Sequence, residues 1–177
     1  EKRNFLIEIY KKFFKFHKIN TKKMNIIEMG AGHGIMTLIF INLFNKILAV
    51  DPEENLIKLL NKKIIDDNLS SKINTQIIGC EKFTNKKKFD MVIFTYSFMW
   101  IEDKQKCLLN ISKVIKKNGY LLVIEAAKFT MFLEKKFIKQ RNLMNNTMET
   151  LIRSRKFVLI HFTLLYKGVF VYLLQKI

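Results

Sequence analysis

Short apolar runs alternate along this chain with segments whose apolar residues recur at helical spacing. Asn25–Met29 reads as a buried strand and is followed at once by the glycine-rich turn Gly30-Ala31-Gly32-His33-Gly34. Ile35–Phe44 predicts a helix packed on that strand, and Lys46–Val50 a second strand ending on Asp51. Pro52 and the acids behind it start a helix over Glu53–Lys63, because proline suits a first helical turn and carboxylates favour it. Asn74–Ile78 and Phe89–Phe94 read as the third and fourth strands, with a charged turn at Thr84–Lys88. Asp103–Lys117 carries Leu108, Ile111, Val114 and Ile115 on one helical face and stops at Lys116-Lys117-Asn118-Gly119. Tyr120–Ile124 is the fifth strand. Ala126–Ser154 reads as mostly helical, and Phe157–Leu165 with Val169–Gln175 as a hairpin around Tyr166-Lys167-Gly168. Ahead of the first strand, Asn4–Phe16 places Leu6, Ile9, Phe13 and Phe16 between lysines, which predicts a basic amphipathic helix covering the core. Strands alternating with helices and closed by a hairpin define an α/β class, a mostly parallel sheet flanked by helices.

The chemistry gathers at the first strand. Glycines let backbone amides approach a ligand and tolerate positive φ, and the helix start behind them offers free N–H groups. Asp51 lies about twenty residues beyond Gly30 at a strand end, the place from which a carboxylate accepts hydrogen bonds from ribose hydroxyls. This is a nucleoside-binding half-site. The dinucleotide fingerprint G-x-G-x-x-G fails, since Ile35 stands where its third glycine belongs. Instead the stretch reads E-x-G-x-G-x-G, with Glu28 at the strand tip, where a carboxylate would repel a pyrophosphate and suit a cationic ligand.

In these features the chain resembles the class I S-adenosylmethionine-dependent methyltransferases. Three further stretches carry the resemblance: the Phe89-Asp90 pair opening the fourth strand, the loop Thr95–Ile101 (TYSFMWI), and Val114–Glu125 (VIKKNGYLLVIE), where Asn118 replaces a proline. The resemblance runs from about residue 24 to the end. It implies a Rossmann-like, seven-stranded sandwich of strand order 3-2-1-4-5-7-6 with a C-terminal antiparallel hairpin, and S-adenosylmethionine as cofactor. The chain then forms a single methyltransferase domain over 1–177: a basic helix over 1–23, a cofactor-binding core over 24–125, and a helix and hairpin over 126–177. By the same resemblance Glu28, Gly30, Ala31, Gly32, Gly34 and Asp51 hold the cofactor, Pro52 packs on the adenine, and the backbone at Thr95 meets the methionine part. The family usually places Gly-Asp-Ala-Glu after the third strand, its Asp bonding the adenine amino group. Here Cys80 falls on that position, and Glu81 substitutes only if the turn is one residue shorter. Tyr96 and Trp100 are implied to line the acceptor pocket, with core packing as the other reading of Trp100. Asp90, at the far end of its strand, reads as structural.

No nucleophile–base triad or metal cluster appears, and methyl transfer from a sulfonium needs mainly alignment. For acceptors that require a base, His33 and Tyr96 are the nearest candidates, although His33 reads better as a turn residue. The acceptor stays open between RNA and a small molecule. The Asn/Asp-Pro-Pro-Tyr-type motif of amino-group methylases is missing, which counts against those acceptors. The short stretch before the first strand leaves little cover for an enclosed pocket, so a large acceptor or a partner subunit completing the site fits better.

Composition adds less. The 177 residues are 49% hydrophobic and 12% aromatic, which fits one globular domain. The net charge of +17 comes almost entirely from lysine and attracts polyanions such as RNA, with Lys11, Lys12, Lys15 and Lys18 leading. An AT-rich coding sequence would impose the same lysine, and arginine is scarce. The charge keeps a second function class open: a catalytically weak or inactive methyltransferase-fold subunit that binds RNA or assists ribonucleoprotein assembly. Cys80 and Cys107 show no metal-ligand spacing and read as buried reduced thiols of an intracellular protein, cytoplasmic or organellar. No apolar run reaches the ~18 residues of a membrane span.

Overall fold

The computed structural model describes residues 2–126, 146–154, 156–165 and 169–177. Seven strands form one sheet: β1 (Asn25–Met29), β2 (Lys46–Asp51), β3 (Ile73–Ile77), β4 (Phe89–Thr95), β5 (Ile115–Ala126), β6 (Phe157–Leu165) and β7 (Val169–Lys176). Their order is β3-β2-β1-β4-β5-β7-β6, as the resemblance implies. β1 to β5 pair in parallel, while β7 runs antiparallel between β5 and β6. The helices are α1 (Lys2–Phe16), α2 (Thr37–Phe40), α3 (Glu54–Asp66), α4 (Lys104–Val114) and α5 over residues 146–153.

Strand side chains alternate between two cores, one on each face of the sheet. Ile26, Met91, Ile93, Leu122 and Ile124 face α1, α2 and α3. Ile27, Val92, Phe94, Leu121 and Val123 face α4 and α5. Both faces being covered explains why these strands are continuous apolar runs rather than alternating ones. Asp90 ties the edge of the sheet away from the glycine turn, accepting from the Asn25 amide at 2.8 Å and from Lys116 Nζ at 2.7 Å.

Four expectations are corrected. α1 buries Ile7 and Phe14, not Ile9 and Phe16, which are exposed. The apolar stripe of the helix is wider than the face it buries, so the inward part is chosen by ring contacts of Tyr10 with Phe40 and Phe14 with Phe44. The helix foreseen over Ile35–Phe44 is regular only over Thr37–Phe40. Around it, three-residue and four-residue hydrogen bonds mix, as at Asn42 to Ile39 and Phe44 to Phe40. α4 ends at Val114, and Lys116–Gly119 bulges out of the start of β5 instead of ending a helix. There Asn118 adopts φ 61°, and Gly119 lies against the Asp90 carbonyl, so these turn residues serve the bulge of a strand and not the end of a helix. Finally, Cys80 and Cys107 are joined in a disulfide. The crossover after β3 and the packing of α4 bring their Cα atoms within 5.1 Å. The helix predicted over Ala126–Ser154 begins in β5 and continues through residues 127–145, which lie outside the described residues; 146–153 are helical.

Candidate cofactor and acceptor site

A cleft of about 440 Å³ opens at the carboxyl ends of β1, β2 and β4, the switch point of the sheet. Gly30, Asp51, Pro52, Cys80, Glu81, Tyr96 and Trp100 line it among the residues singled out in the sequence. The turn above β1 is braced from β2, because the Gly30 and Ala31 amides donate to the Val50 carbonyl at 2.8 and 3.1 Å. Asp51, 7% exposed, accepts from the Gly32 amide through Oδ2 at 2.8 Å and from the Glu53 amide through Oδ1 at 2.9 Å. Each oxygen keeps a further lone pair for a ligand. Gly30, Gly32 and Gly34 all take positive φ. A side chain at Gly30 would run into Ser97 and one at Gly34 into Leu60, whereas at Gly32 nothing lies within 4 Å. The open space sits at the middle glycine.

Glu28 is placed differently from its expectation. It is 2% exposed, absent from the cleft wall, and accepts a 2.5 Å hydrogen bond from the Thr37 hydroxyl of α2. Burial pushes its carboxyl from the ordinary 4.5 to about 8; the Thr37 bond opposes this, and the Asp51 charge adds to it. The folded chain therefore holds a proton that the unfolded chain releases, and stability falls as pH rises from about 4.5 to about 8, by up to about 1.4 kcal/mol per unit. Glu28→Gln keeps an acceptor for Thr37 and cannot ionise. Urea unfolding at about pH 5 and about pH 8 should show the wild type losing a few kcal/mol, and the variant losing that much less. Equal losses in both proteins would place the proton elsewhere.

Ala31, Gly32, Gly34, His33 and Thr95 also lie outside the cleft wall. Ala31, Gly34 and Thr95 are buried; His33 is exposed, and its carbonyl accepts from Lys63 Nζ at 3.0 Å. The Thr95 hydroxyl is buried without a hydrogen-bond partner. Tyr96 holds φ 56°, rare for a bulky residue, and its amide donates to the Ile124 carbonyl at 2.8 Å. Trp100, 75% exposed, stands at the rim, so core packing does not describe it. Tyr10 of α1 is half-buried, and its hydroxyl is held well above its ordinary value by desolvation, then by Tyr96 and Glu28. α1 thus reaches the back of the site.

At the other end of the cleft, Cys80 occupies the turn after β3. The disulfide fixes that turn to α4, and Asn110 of α4 donates to the Glu81 carbonyl at 2.9 Å. The Glu81 carboxylate bends back towards Gly79 and lines the wall. Sequence reasoning missed Ser97, whose hydroxyl donates to the Met29 carbonyl at 2.6 Å, and the apolar walls Leu56, Ile78 and Ile101. Among the described residues no group of three metal-ligating side chains occurs, and no helix is long and apolar enough to cross a membrane.

Residues 27–123 match the methyltransferase domain family. The chain belongs to that family, within the class I S-adenosylmethionine-dependent methyltransferases. It is 30% identical over 112 residues to malonyl-(acyl-carrier protein) O-methyltransferase 2 of Ilyobacter polytropus, covering 61% of this chain and 41% of that protein. It is 28% identical over 124 residues to a ubiquinone/menaquinone biosynthesis C-methyltransferase of Wigglesworthia glossinidia brevipalpis, covering 68% of this chain and 50% of that protein. The chain thus spans half or less of the length of either relative. The N-methyltransferase NodS of Bradyrhizobium japonicum, solved with S-adenosyl-L-homocysteine, has the same fold. The TM-score is 0.69 and the identity 12%, with 87% of this chain and 79% of that one covered.

Proposed function

We propose that this chain binds S-adenosylmethionine in the cleft and transfers its methyl group to an acceptor arriving past Tyr96 and Trp100. The observation that carries the reading is Asp51. A buried carboxylate held by the Gly32 and Glu53 amides, at the end of β2 and facing a cleft, is built to take ribose hydroxyls. Pro52, Leu56 and Ile78 supply apolar walls for an adenine, and the Glu81 carboxylate is the acceptor available to its amino group in place of the family's aspartate. The cofactor, when bound, supplies a methyl group already activated on a sulfonium. The chain's own task is to align it, and Gly30, Ser97 and Tyr96 form the wall where donor and acceptor would meet.

The exposed Trp100 rim favours an acceptor presented on something larger than the cleft. One relative is named for a malonyl group on a carrier protein and another for quinone biosynthesis, while the +17 charge and the exposed Lys11, Lys12, Lys15 and Lys18 favour RNA. The test is calorimetry with S-adenosylmethionine and its demethylated product, then labelled-methyl transfer to RNA, protein and metabolite fractions. Micromolar binding with label in one fraction is expected, and that fraction names the acceptor class. A folded sample that binds neither ligand would overturn the reading and favour a subunit without catalysis.

A further inference from the structure

Glu125, the last residue but one of β5, is only 3% exposed and is not part of the cleft wall. Its Oε1 accepts from the Phe98 amide at 2.6 Å and from the Met99 amide at 3.3 Å. Its Oε2 is buried without a hydrogen-bond partner. Lys104, at the start of α4, takes the same stretch by its carbonyls, donating to Ile101 O at 2.7 Å and Met99 O at 3.3 Å. A buried acid holding the amides and a buried base holding the carbonyls grip one short segment from two elements. That segment, residues 96–101, supplies Tyr96, Ser97, Trp100 and Ile101 to the cleft. The strained φ of Tyr96 needs such a grip, since a left-handed tyrosine persists only where its surroundings over-determine it. A buried carboxyl with one unused oxygen is costly as a mere packing element, because an apolar residue of that size would carry no desolvation penalty.

We propose that Glu125 is the positioning residue of the acceptor loop, holding Phe98 and Met99 so that Tyr96, Ser97 and Trp100 keep their places on the cleft wall. Its meaning for methyl transfer rests on the function proposed above, but its structural content does not. Burial raises the Glu125 carboxyl to about 7, against the opposing pull of the Phe98, Met99 and Ser97 amides and of Lys104. Tyr96 and Lys104 are the titratable groups that interact with it: Tyr96 is raised by burial and by Glu125, and Lys104 is lowered by burial, with Glu125 and Glu81 opposing. Glu125→Gln separates their effects from its own, because it removes the Glu125 carboxyl and leaves Tyr96 and Lys104 in place.

The amide resonances of Phe98 and Met99 are the direct readout, followed in the whole chain between about pH 5 and about pH 9. In the wild type both should move together with a midpoint near neutrality, since a carboxylate is a stronger acceptor than the protonated acid. Glu125→Gln keeps an amide oxygen for the two N–H groups and removes the charge. It should retain their protection from hydrogen exchange, lose the titration, and hold affinity for S-adenosyl-L-homocysteine within about threefold. Glu125→Ala should speed exchange at both amides by about tenfold or more and weaken that affinity by about tenfold. If Glu125→Ala does not fold, Glu125→Gln decides alone. Titration persisting in Glu125→Gln, or amides unprotected in it, would overturn the proposal, as would unchanged exchange in a folded Glu125→Ala. A wild type that shows the amide titration but binds no cofactor would instead overturn the methyltransferase reading and leave the loop grip standing.

Discussion

Asp51→Ala should weaken binding of S-adenosylmethionine and S-adenosyl-L-homocysteine by two orders of magnitude or more. Two effects act in the same direction. The carboxylate offers ribose hydroxyls charge-assisted hydrogen bonds worth about 1.5–3 kcal/mol each. It also holds the Gly32 amide at 2.8 Å and the Glu53 amide at 2.9 Å, so alanine frees both the glycine turn and the start of α3. Asp51→Asn keeps one acceptor and the shape of the side chain, and should fall between alanine and the wild type. Calorimetry on samples shown to be folded by circular dichroism decides the matter. An alanine variant with wild-type affinity would mean that the cleft does not take a ribose at this position.

The second large effect separates the glycines. Gly32→Val should abolish measurable cofactor binding while costing the fold only about 1–2 kcal/mol, the usual strain of a side chain at φ 54°. Nothing of the protein lies within 4 Å of the added Cβ, so any crowding would be with a ligand. Gly34→Val should do the reverse kind of damage. It combines the strain of φ 88° with overlap against buried Leu60, and a loss of about 3 kcal/mol or more is expected in urea unfolding. The paired measurement matters more than either alone. Full affinity in Gly32→Val would show that no ligand approaches the backbone there.

What the sequence made legible was the part encoded by contiguous residues. An apolar run, a glycine turn and an acid at the next strand end are local signals, and they led to β1, the turn, β2 and Asp51. The order of the strands came through resemblance. Signals that depend on which face of an element turns inward were weaker. Phe5, Leu6, Ile7, Ile9, Tyr10, Phe13, Phe14 and Phe16 form an apolar stripe covering more than half of α1, wider than the core needs, and the rings of Phe40 and Phe44 decide which part of it turns inward. Burial was the other blind spot. Glu28 and Asp51 look alike in the sequence, each an acid at the end of an apolar run. One turns into the core against Thr37, the other into the cleft. Glu125 carries the same signal after Leu121–Ile124, but its role is invisible in the sequence because its partners are backbone amides in a loop more than twenty residues upstream. Cys80 and Cys107 were beyond any spacing rule, since only the packing of α4 on the turn after β3 brings them together.

That bridge gives the folding chain a topology its backbone alone lacks. The cross-link spans a sequence separation of 27 residues, and the ring it closes contains β4 and the whole of the acceptor loop. In the chain-entropy account such a ring removes freedom from the unfolded ensemble worth about 3.5 kcal/mol. The segment that lines the cleft therefore unfolds as a closed circle rather than as an open strand. Its two ends, one on the cleft wall and one on α4, stay within a few ångströms even when the sheet around them has melted.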